Sequence, residues 1–315
     1  MRLPADITSE NFYQSFRQKP DNWLGVALDI CLDHGLSVGV IEPVTDGSNL
    51  VASVDDRHIV KIFPPFHRHQ WESEYRTLQH LAGKTNIPIP DLIARGERDG
   101  WTYVIISKLS GIMLEKVWEG CTIQEKTDML HQTGQIMAEV HRLPVGGLAD
   151  LEPRWQDFIR RQCEEYPARH RRYGMPDWLL RDLDPYVSSA LPLLPPDPEA
   201  VILTGEYTPF NLLADQTENG SWHISGMIDF GDAMTGFREY DLLGPCTFLC
   251  AGNPDLLRAL LRGYGYKQND PALGRRLMLL LILHRYSNLN AQVRIPGWQE
   301  QVTSLEALER LIFPV

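Results

Sequence analysis

Three side chains that carry oxygen ligands fall within one short stretch of the chain: Glu206, Asn211 and Asp229, the last opening Asp229-Phe230-Gly231. An apolar run at 200–203 comes first and breaks at Thr204-Gly205. The apolar pair Leu212-Leu213, a polar turn at 216–220 and an alternating run at 222–228 follow. This pattern predicts loop, short strand, turn, strand and loop, with the three side chains where the backbone leaves regular structure. One hairpin then brings two carboxylates and a carboxamide to the same end of a sheet. A hard cation such as Mg²⁺ takes oxygen ligands and keeps waters, so one carboxylate and one amide oxygen suffice when phosphates supply the rest. The remaining carboxylate is free to accept a hydroxyl proton, the division of labour found in phosphoryl transfer. A plain polar hairpin, whose Asn and Asp only make turns, fits the same residues.

The elements that must position such a site come earlier. Residues 1–35 read as a helical lead-in, with Trp23, Ala27, Ile30 and Cys31 near one face of 21–33 and Gly35 as the stop. From 38 the period changes to two: 38–44, 50–54 and 58–63 are β-rich runs forming a meander. The turn at 46–49 has small residues where backbone amides can approach a phosphate, although an ordinary hairpin turn fits as well. Lys61 lies in the third run among β-branched residues, where an ammonium must be solvated or paired. Residues 64–65, both proline, end that strand, and 67–83 has helical spacing at Trp71, Tyr75, Leu78 and Leu81. Two further strands are predicted at 92–94 and 101–107. The span 122–143 is a strongly amphipathic helix, and His141 at its end reads as structural. Residues 151–194 are helical but less regular, and beyond 242 the chain is helical, with 277–290 as one buried helix.

Composition narrows the function classes. With 43% hydrophobic and 23% charged residues the chain is ordinary globular material, and its net charge of −11 argues against sequence-independent nucleic-acid binding. An acidic surface also suits a cationic small substrate. The segment 1–21 carries acids and no apolar core, unlike a signal peptide, and the longest apolar run, 277–283, is too short to span a bilayer. Neither a nucleic-acid nor a membrane partner is expected. Five cysteines at irregular spacing point to reduced thiols and a cytoplasmic location; Cys246 and Cys250 read as core packing.

In order and separation, Lys61, Glu74, Asn211 and Asp229-Phe230-Gly231 resemble the aminoglycoside phosphotransferase family, of protein-kinase-like fold, over residues 38–245. The resemblance implies a bilobal α+β fold: a β-rich N-lobe at 1–106, a hinge at 107–111, and a larger, mainly helical C-lobe at 112–315, with nucleotide in the cleft. It implies that Lys61 contacts nucleotide phosphates and pairs with Glu74, for which Glu72 is the nearby competitor. Ser48 and Asn49 in the turn, and Ser107 and Leu109 in the hinge, then belong to the nucleotide site. Asn211 and Asp229 would hold Mg²⁺, and Glu206 would orient and deprotonate the acceptor. Asp241 resembles the family's structural acid after the metal motif. The donor is ATP or GTP, and the acceptor a small hydroxylated molecule, aminoglycoside-like or a simpler alcohol. The family has His-Gly-Asp where this chain has Thr204-Gly205-Glu206; its His braces the loop and its Asp positions the acceptor hydroxyl. A second reading therefore stands beside the kinase: a nucleotide-binding interaction protein on the same scaffold, without transfer.

Overall fold

The computed structural model describes residues 2–4, 7, 10–45, 47–205, 207–267 and 270–315. By compactness the chain divides into two units, Met1–Ser110 with Gly226–Ala233, and Gly111–Ser225 with Met234–Val315.

The first unit begins with helices α1 (Glu10–Arg17) and α2 (Leu24–Asp33), which end where Gly35 takes a positive φ. Strands β1 (Ile41–Val44), β2 (Leu50–Val54), β3 (His58–Phe63), β4 (Leu92–Arg98) and β5 (Trp101–Ser107) form one antiparallel sheet, in the order β1-β2-β3-β5-β4. Alternation places Leu50, Ala52 and Val54 inward, where they pack with Val60, Trp101 and Ile105 against Trp23, Val26 and Ile30 of the lead-in. The two tryptophans bury their indoles without stranding a donor: Trp23 donates to the Arg17 carbonyl and Trp101 to that of Pro4. The first strand is shorter than its apolar run predicts. It starts at Ile41 because the N–H groups of Gly39 and Val40 are taken by the Asp55 carboxylate, at 3.0 and 2.7 Å, rather than by a neighbouring strand. Helix α3 (Arg68–Leu81) crosses behind the sheet and buries Gln70, Ser73, Glu74, Thr77, Leu78 and Leu81 on one stripe. The segment Gly226–Ala233 joins this unit through a bond from the Met227 N–H to the Pro88 carbonyl (3.0 Å) and through Asp229.

The second unit opens with β6 (Ile112–Met113) and α4 (Leu114–Trp118), followed by α5 (Ile123–Arg142). Thr122 and Glu125 close a reciprocal capping box at the start of α5, satisfying donors that a helix end leaves orphaned. The less regular span 151–194 resolves into α6 (Trp155–Arg172) and α7 (Asp177–Ala190). The run 200–203 is itself a strand, β7 (Val201–Leu203), and it pairs not with the following hairpin but with β10 (Met234–Gly236). The hairpin β8 (Leu212–Gln216) and β9 (Trp222–Met227) instead takes β6 as its third strand.

Helical chain follows: α8 (Leu243–Pro245) running into a π turn at Cys246–Cys250, α9 (Pro254–Tyr264), α10 (Leu273–Leu283), and the shorter α11 (Leu289–Gln292), α12 (Trp298–Gln301) and α13 (Leu305–Ile312). Cys246 and Cys250 are buried free thiols of the core. Two glycines let α5 and α9 approach closely. A Cβ on Gly134 would collide with the Leu260 carbonyl, and one on Gly263 with that of His131. The helix expected across 277–290 ends at Leu283: His284 turns to extended backbone and stacks its ring on Tyr240, with centroids 5.1 Å apart and planes 17° from parallel.

Candidate active site

In the first unit three ionisable groups meet. Strand β3, hydrogen-bonded on both sides, carries Lys61 opposite Val51 and Val104. Its Nζ donates to Glu74 Oε2 at 2.5 Å and to Asp229 Oδ1 at 2.7 Å. The buried stripe of α3 selects the glutamate: Glu74 faces the sheet, whereas Glu72 lies two residues off that face and pairs with Arg76 at 3.0 Å. The side chains of Lys61 and Glu74 are 9% and 1% exposed, but that of Asp229 is 45% exposed. One end of the cluster is therefore sealed and the other is open.

Burial sets the charge states. It pushes the Glu74 carboxyl up to about 7, only partly offset by Lys61. Burial acts on Asp229 in the same direction, but there Lys61 and the Gly231 N–H prevail and its pKa falls below the ordinary carboxylate range. Desolvation works against the Lys61 ammonium, yet Asp229 and Glu74 together outweigh it and raise its pKa. Asp229 also takes a left-handed φ of 64°, a costly conformation for a residue with a Cβ, which Asp tolerates better than most. Lys61 and the Gly231 N–H both bond its Oδ1, which leaves Oδ2 for a cation.

The other nucleotide-site candidates are placed as follows. The Asn49 carboxamide is buried and engaged internally, donating to Gln70 Oε1 at 3.2 Å and lying 2.9 Å from His67 Nδ1. Ser48 offers its carbonyl to the Tyr13 hydroxyl at 2.7 Å. Ser107 Oγ accepts the Asp91 N–H at 2.8 Å, and Leu109, two residues on, is half-buried. Asp46, the first residue of the turn, lies outside the described residues. Asp232 Oδ1 is 3.4 Å from Gln70 Nε2, a bond that ties the loop after Asp229 to α3.

The second unit carries the remaining candidates. Glu206 itself lies outside the described residues, but the backbone leading to it is well anchored. Asp241 accepts the N–H of Thr204 at 3.0 Å and of Gly205 at 2.8 Å, and His141 Nε2 stands 3.1 Å from the same carboxylate. His141 is held in turn by the Tyr264 hydroxyl at 2.9 Å. The brace that the Thr204-Gly205-Glu206 triplet lacks in its own sequence is thus supplied by a histidine from α5 acting through Asp241. Nothing in the local sequence around His141 signals that partnership. Asn211 sits in the turn just before β8, its N–H bonded to the Thr208 carbonyl at 3.1 Å. A cavity of about 170 Å³ opens beside Gly205 and Thr208, which flank Glu206 in the chain.

Residues 40–278 match the family model described as the phosphotransferase enzyme family, APH. The chain belongs to that family. Among solved structures it is similar to wild-type aminoglycoside 2'-phosphotransferase-IIIa in its GDP complex, with 20% identity and a TM-score of 0.70 over 92% of this chain and 97% of that one. It is also similar to aminoglycoside phosphotransferase APH(3'')-Id from Streptomyces rimosus, with 17% identity, a TM-score of 0.60, and 83% and 98% of the two chains covered. A third similar structure is the streptomycin–ATP ternary complex of APH(2'')-IIa, with 16% identity, a TM-score of 0.60, and 82% and 90% covered. At such identities the likeness establishes the α+β, protein-kinase-like fold of the phosphotransferase family and leaves substrate open.

Proposed function

We propose that the chain transfers the γ-phosphate of ATP or GTP to a hydroxyl of a small molecule. The observation that carries this reading is the Lys61–Glu74–Asp229 cluster: an ammonium fixed between a sealed carboxylate and an open one. Asp229, whose pKa is lowered, presents a deprotonated carboxylate at the open end of the cluster, the donor type that Mg²⁺ prefers. Among the described residues no three His, Cys, Asp or Glu side chains gather as an all-protein metal cage would need. Mg²⁺ asks for less, because it retains waters and phosphate oxygens.

In this reading Asp229 and Asn211 ligate Mg²⁺, which when bound neutralises phosphate charge. Lys61 positions the phosphates, Glu74 holds Lys61 in its rotamer, and the hinge at 107–111, where the first unit ends, takes the base of the nucleotide through the half-buried Ser107 and Leu109. Ser48 and Asn49 contribute backbone to the phosphates, since the Asn49 side chain is engaged elsewhere. Glu206, which follows the Thr204 and Gly205 amides held by Asp241, orients the acceptor hydroxyl and takes its proton. Catalysis is then chiefly positioning and charge neutralisation. Five free thiols suit a reducing cytoplasm, and among the described residues no helix is long and apolar enough to cross a membrane.

The test is Mg²⁺-dependent release of nucleoside diphosphate, coupled to detection of a phosphorylated alcohol by mass spectrometry, across a panel of hydroxylated compounds. Acceptor-stimulated release that disappears in Lys61→Ala and Asp229→Ala is expected. A protein that binds Mg²⁺-nucleotide yet phosphorylates no acceptor would be the nucleotide-binding interaction protein instead.

A further inference from the structure

The buried stripe of α3 carries two polar side chains one helical turn apart, Gln70 and Glu74, and each holds a loop. Glu74 holds the loop at 229 through Lys61. Gln70 instead spans two loops at once. Its Oε1 accepts an N–H of the Asn49 carboxamide at 3.2 Å, and its Nε2 donates to Asp232 Oδ1 at 3.4 Å. Gln70 and Asn49 are 7% and 4% exposed, so leaving either amide unpaired there is costly.

Both ends of this link are fixed in turn. Asn49 Oδ1 lies 2.9 Å from His67 Nδ1, and the neighbouring Ser48 carbonyl accepts the Tyr13 hydroxyl at 2.7 Å. At the other end the loop rests on α3: a Cβ on Gly231 would stand 3.5 Å from Gln70 Cβ and 3.4 Å from Glu74 Oε2. The Gly231 N–H bonds Asp229 Oδ1 at 3.3 Å, and Asp232 is the next residue. A shift of Asp229 is thus carried to Asp232 within one short loop, and from there through a single side chain to the turn at 47–49. The 3.4 Å bond is the longest in this series, so it has the most to gain when the loop moves.

We propose that Gln70 is a positioning residue that couples the turn at 47–49 to the loop bearing Asp229. Through it, a divalent cation at Asp229 and nucleotide phosphates at the turn strengthen each other's binding. The ligand half of this statement rests on the transferase reading above. Gln70 acts through Asn49 and Asp232, and the coupling it carries is reciprocal by linkage.

Two measurements on the full chain test the link and the coupling separately. Amide hydrogen exchange without ligand reads the link. Asp232→Ala should speed exchange at 47–50, and Asn49→Ala should speed it at 230–233, each about fivefold or more. Fluorescence titration with mant-ADP and mant-GDP, in EDTA and in excess Mg²⁺, reads the coupling as the ratio of the two Kd values. Gln70→Glu keeps the oxygen that accepts from Asn49 but turns a carboxylate oxygen toward Asp232, and it should lower that ratio about fivefold or more. Adding Asp232→Asn exchanges donor and acceptor across the same link at the wild-type net charge, and it should recover most of the ratio. Should Gln70→Glu fail to fold, Asp232→Ala cuts the link from a half-buried position and should lower the ratio likewise.

A ratio that survives Gln70→Glu, at whatever cost in Tm, confines Gln70 to stability and overturns the proposal. So does a double variant that recovers nothing, because the loss then comes from added charge and not from the link. A wild type that binds neither nucleotide overturns the transferase reading and, with it, the ligand half of the proposal. The exchange measurements decide the link even then: unchanged exchange at the distant loop in both variants removes it.

Discussion

His141 and Asp241, a hundred residues apart in the chain, stand 3.1 Å from each other, and through Asp241 the histidine governs the backbone of Thr204 and Gly205. Both side chains are almost fully buried, at 4% and 0% exposed. Asp241→Asn keeps the shape but takes the charge from three bonds at once. Weakening buried hydrogen bonds to a charged acceptor costs about 1–3 kcal/mol. The expected result is a clear fall in Tm, with kcat lowered more than the KM for nucleotide, because the loop being freed precedes Glu206 and not Lys61. Thermal unfolding and steady-state kinetics on the same preparation check it. An unchanged kcat at a lowered Tm would restrict Asp241 to stability.

Lys61 and Glu74 should behave as one unit. Lys61→Ala should weaken nucleotide binding or turnover severely. Glu74→Ala should do so less, because it misplaces Lys61 rather than removing it. In a double-mutant cycle the two losses should fall short of additivity by about 1 kcal/mol or more. Additive effects, or an Arg76-dependent effect of Glu72→Ala on nucleotide binding, would return Glu72 to consideration.

Glu74 also makes a prediction about pH. Its carboxyl is raised to about 7 from an ordinary 4.5, so between those values the folded chain holds a proton that the unfolded chain has released. Stability from this group is complete below about 4.5 and is lost as pH rises through 7. Glu74→Gln is neutral throughout, so the difference in Tm, wild type minus variant, should decrease between pH 5 and pH 8. Asp229, whose pKa is lowered, works in the opposite sense and loses its contribution only in acid. A difference that stays flat between pH 5 and pH 8 would mean that Lys61 keeps Glu74 ionised across the whole range.

The close approach of α5 and α9 yields a prediction about stability alone. Gly134 and Gly263 each face a backbone carbonyl of the other helix, and backbone cannot swing aside as a side chain can. Gly263→Ala should therefore cost about 1–3 kcal/mol, as overpacking does. It should leave the KM for nucleotide unchanged in the surviving folded protein. Urea unfolding checks the first part and steady-state kinetics the second.

Where local pattern and tertiary demand agree, the sequence was legible. The runs 50–54, 58–63 and 101–107 alternate or bury β-branched residues and became β2, β3 and β5 without adjustment. Thr122 and Glu125 mark the start of α5 by their own chemistry. The stripe on α3 that favours Glu74 over Glu72 follows from helical periodicity. Three features were hidden because they depend on partners distant in sequence. β1 is cut short by the Asp55 side chain. β7 leaves its neighbouring hairpin for β10, a choice that no alternation of residues encodes. α10 stops at Leu283, short of the expected 290, where His284 leaves the helix and stacks against Tyr240. The cavity belongs to the same class, since its walls come from stretches around 208, 240, 247 and 284–292 that share no motif.

The metal reading predicts that Asp229→Ala abolishes turnover in a protein that still folds. Removing the carboxylate leaves phosphate charge uncompensated in a partly desolvated site. It also takes one of two partners from the buried Lys61 ammonium and puts alanine at a left-handed φ that aspartate tolerates better, so Tm should fall. Asn211→Ala should raise the Mg²⁺ concentration needed for half-maximal rate without abolishing the reaction, as a neutral ligand contributes less than a charged one. A folded Asp229→Ala protein with near-normal transfer would remove the assignment.

Glu206 separates the transferase from a nucleotide-binding protein without transfer. If it positions and deprotonates the acceptor, Glu206→Gln should keep nucleotide affinity and cut transfer by roughly 10²-fold or more, the usual scale for loss of a general base. Glu206→Asp shortens the reach by one methylene. The loop before it is pinned at Thr204 and Gly205 by Asp241, so the backbone has little freedom to advance a shorter side chain. Aspartate should therefore also impair transfer, by less than glutamine does, and Asp241→Asn in the same chain should recover part of the loss by loosening the pin. Aspartate raising activity from a low baseline would mark the wild-type loop as decayed from a transferring one. An active enzyme indifferent to Glu206→Gln would remove Glu206 from the mechanism and direct attention to a base among the other polar groups of the second unit.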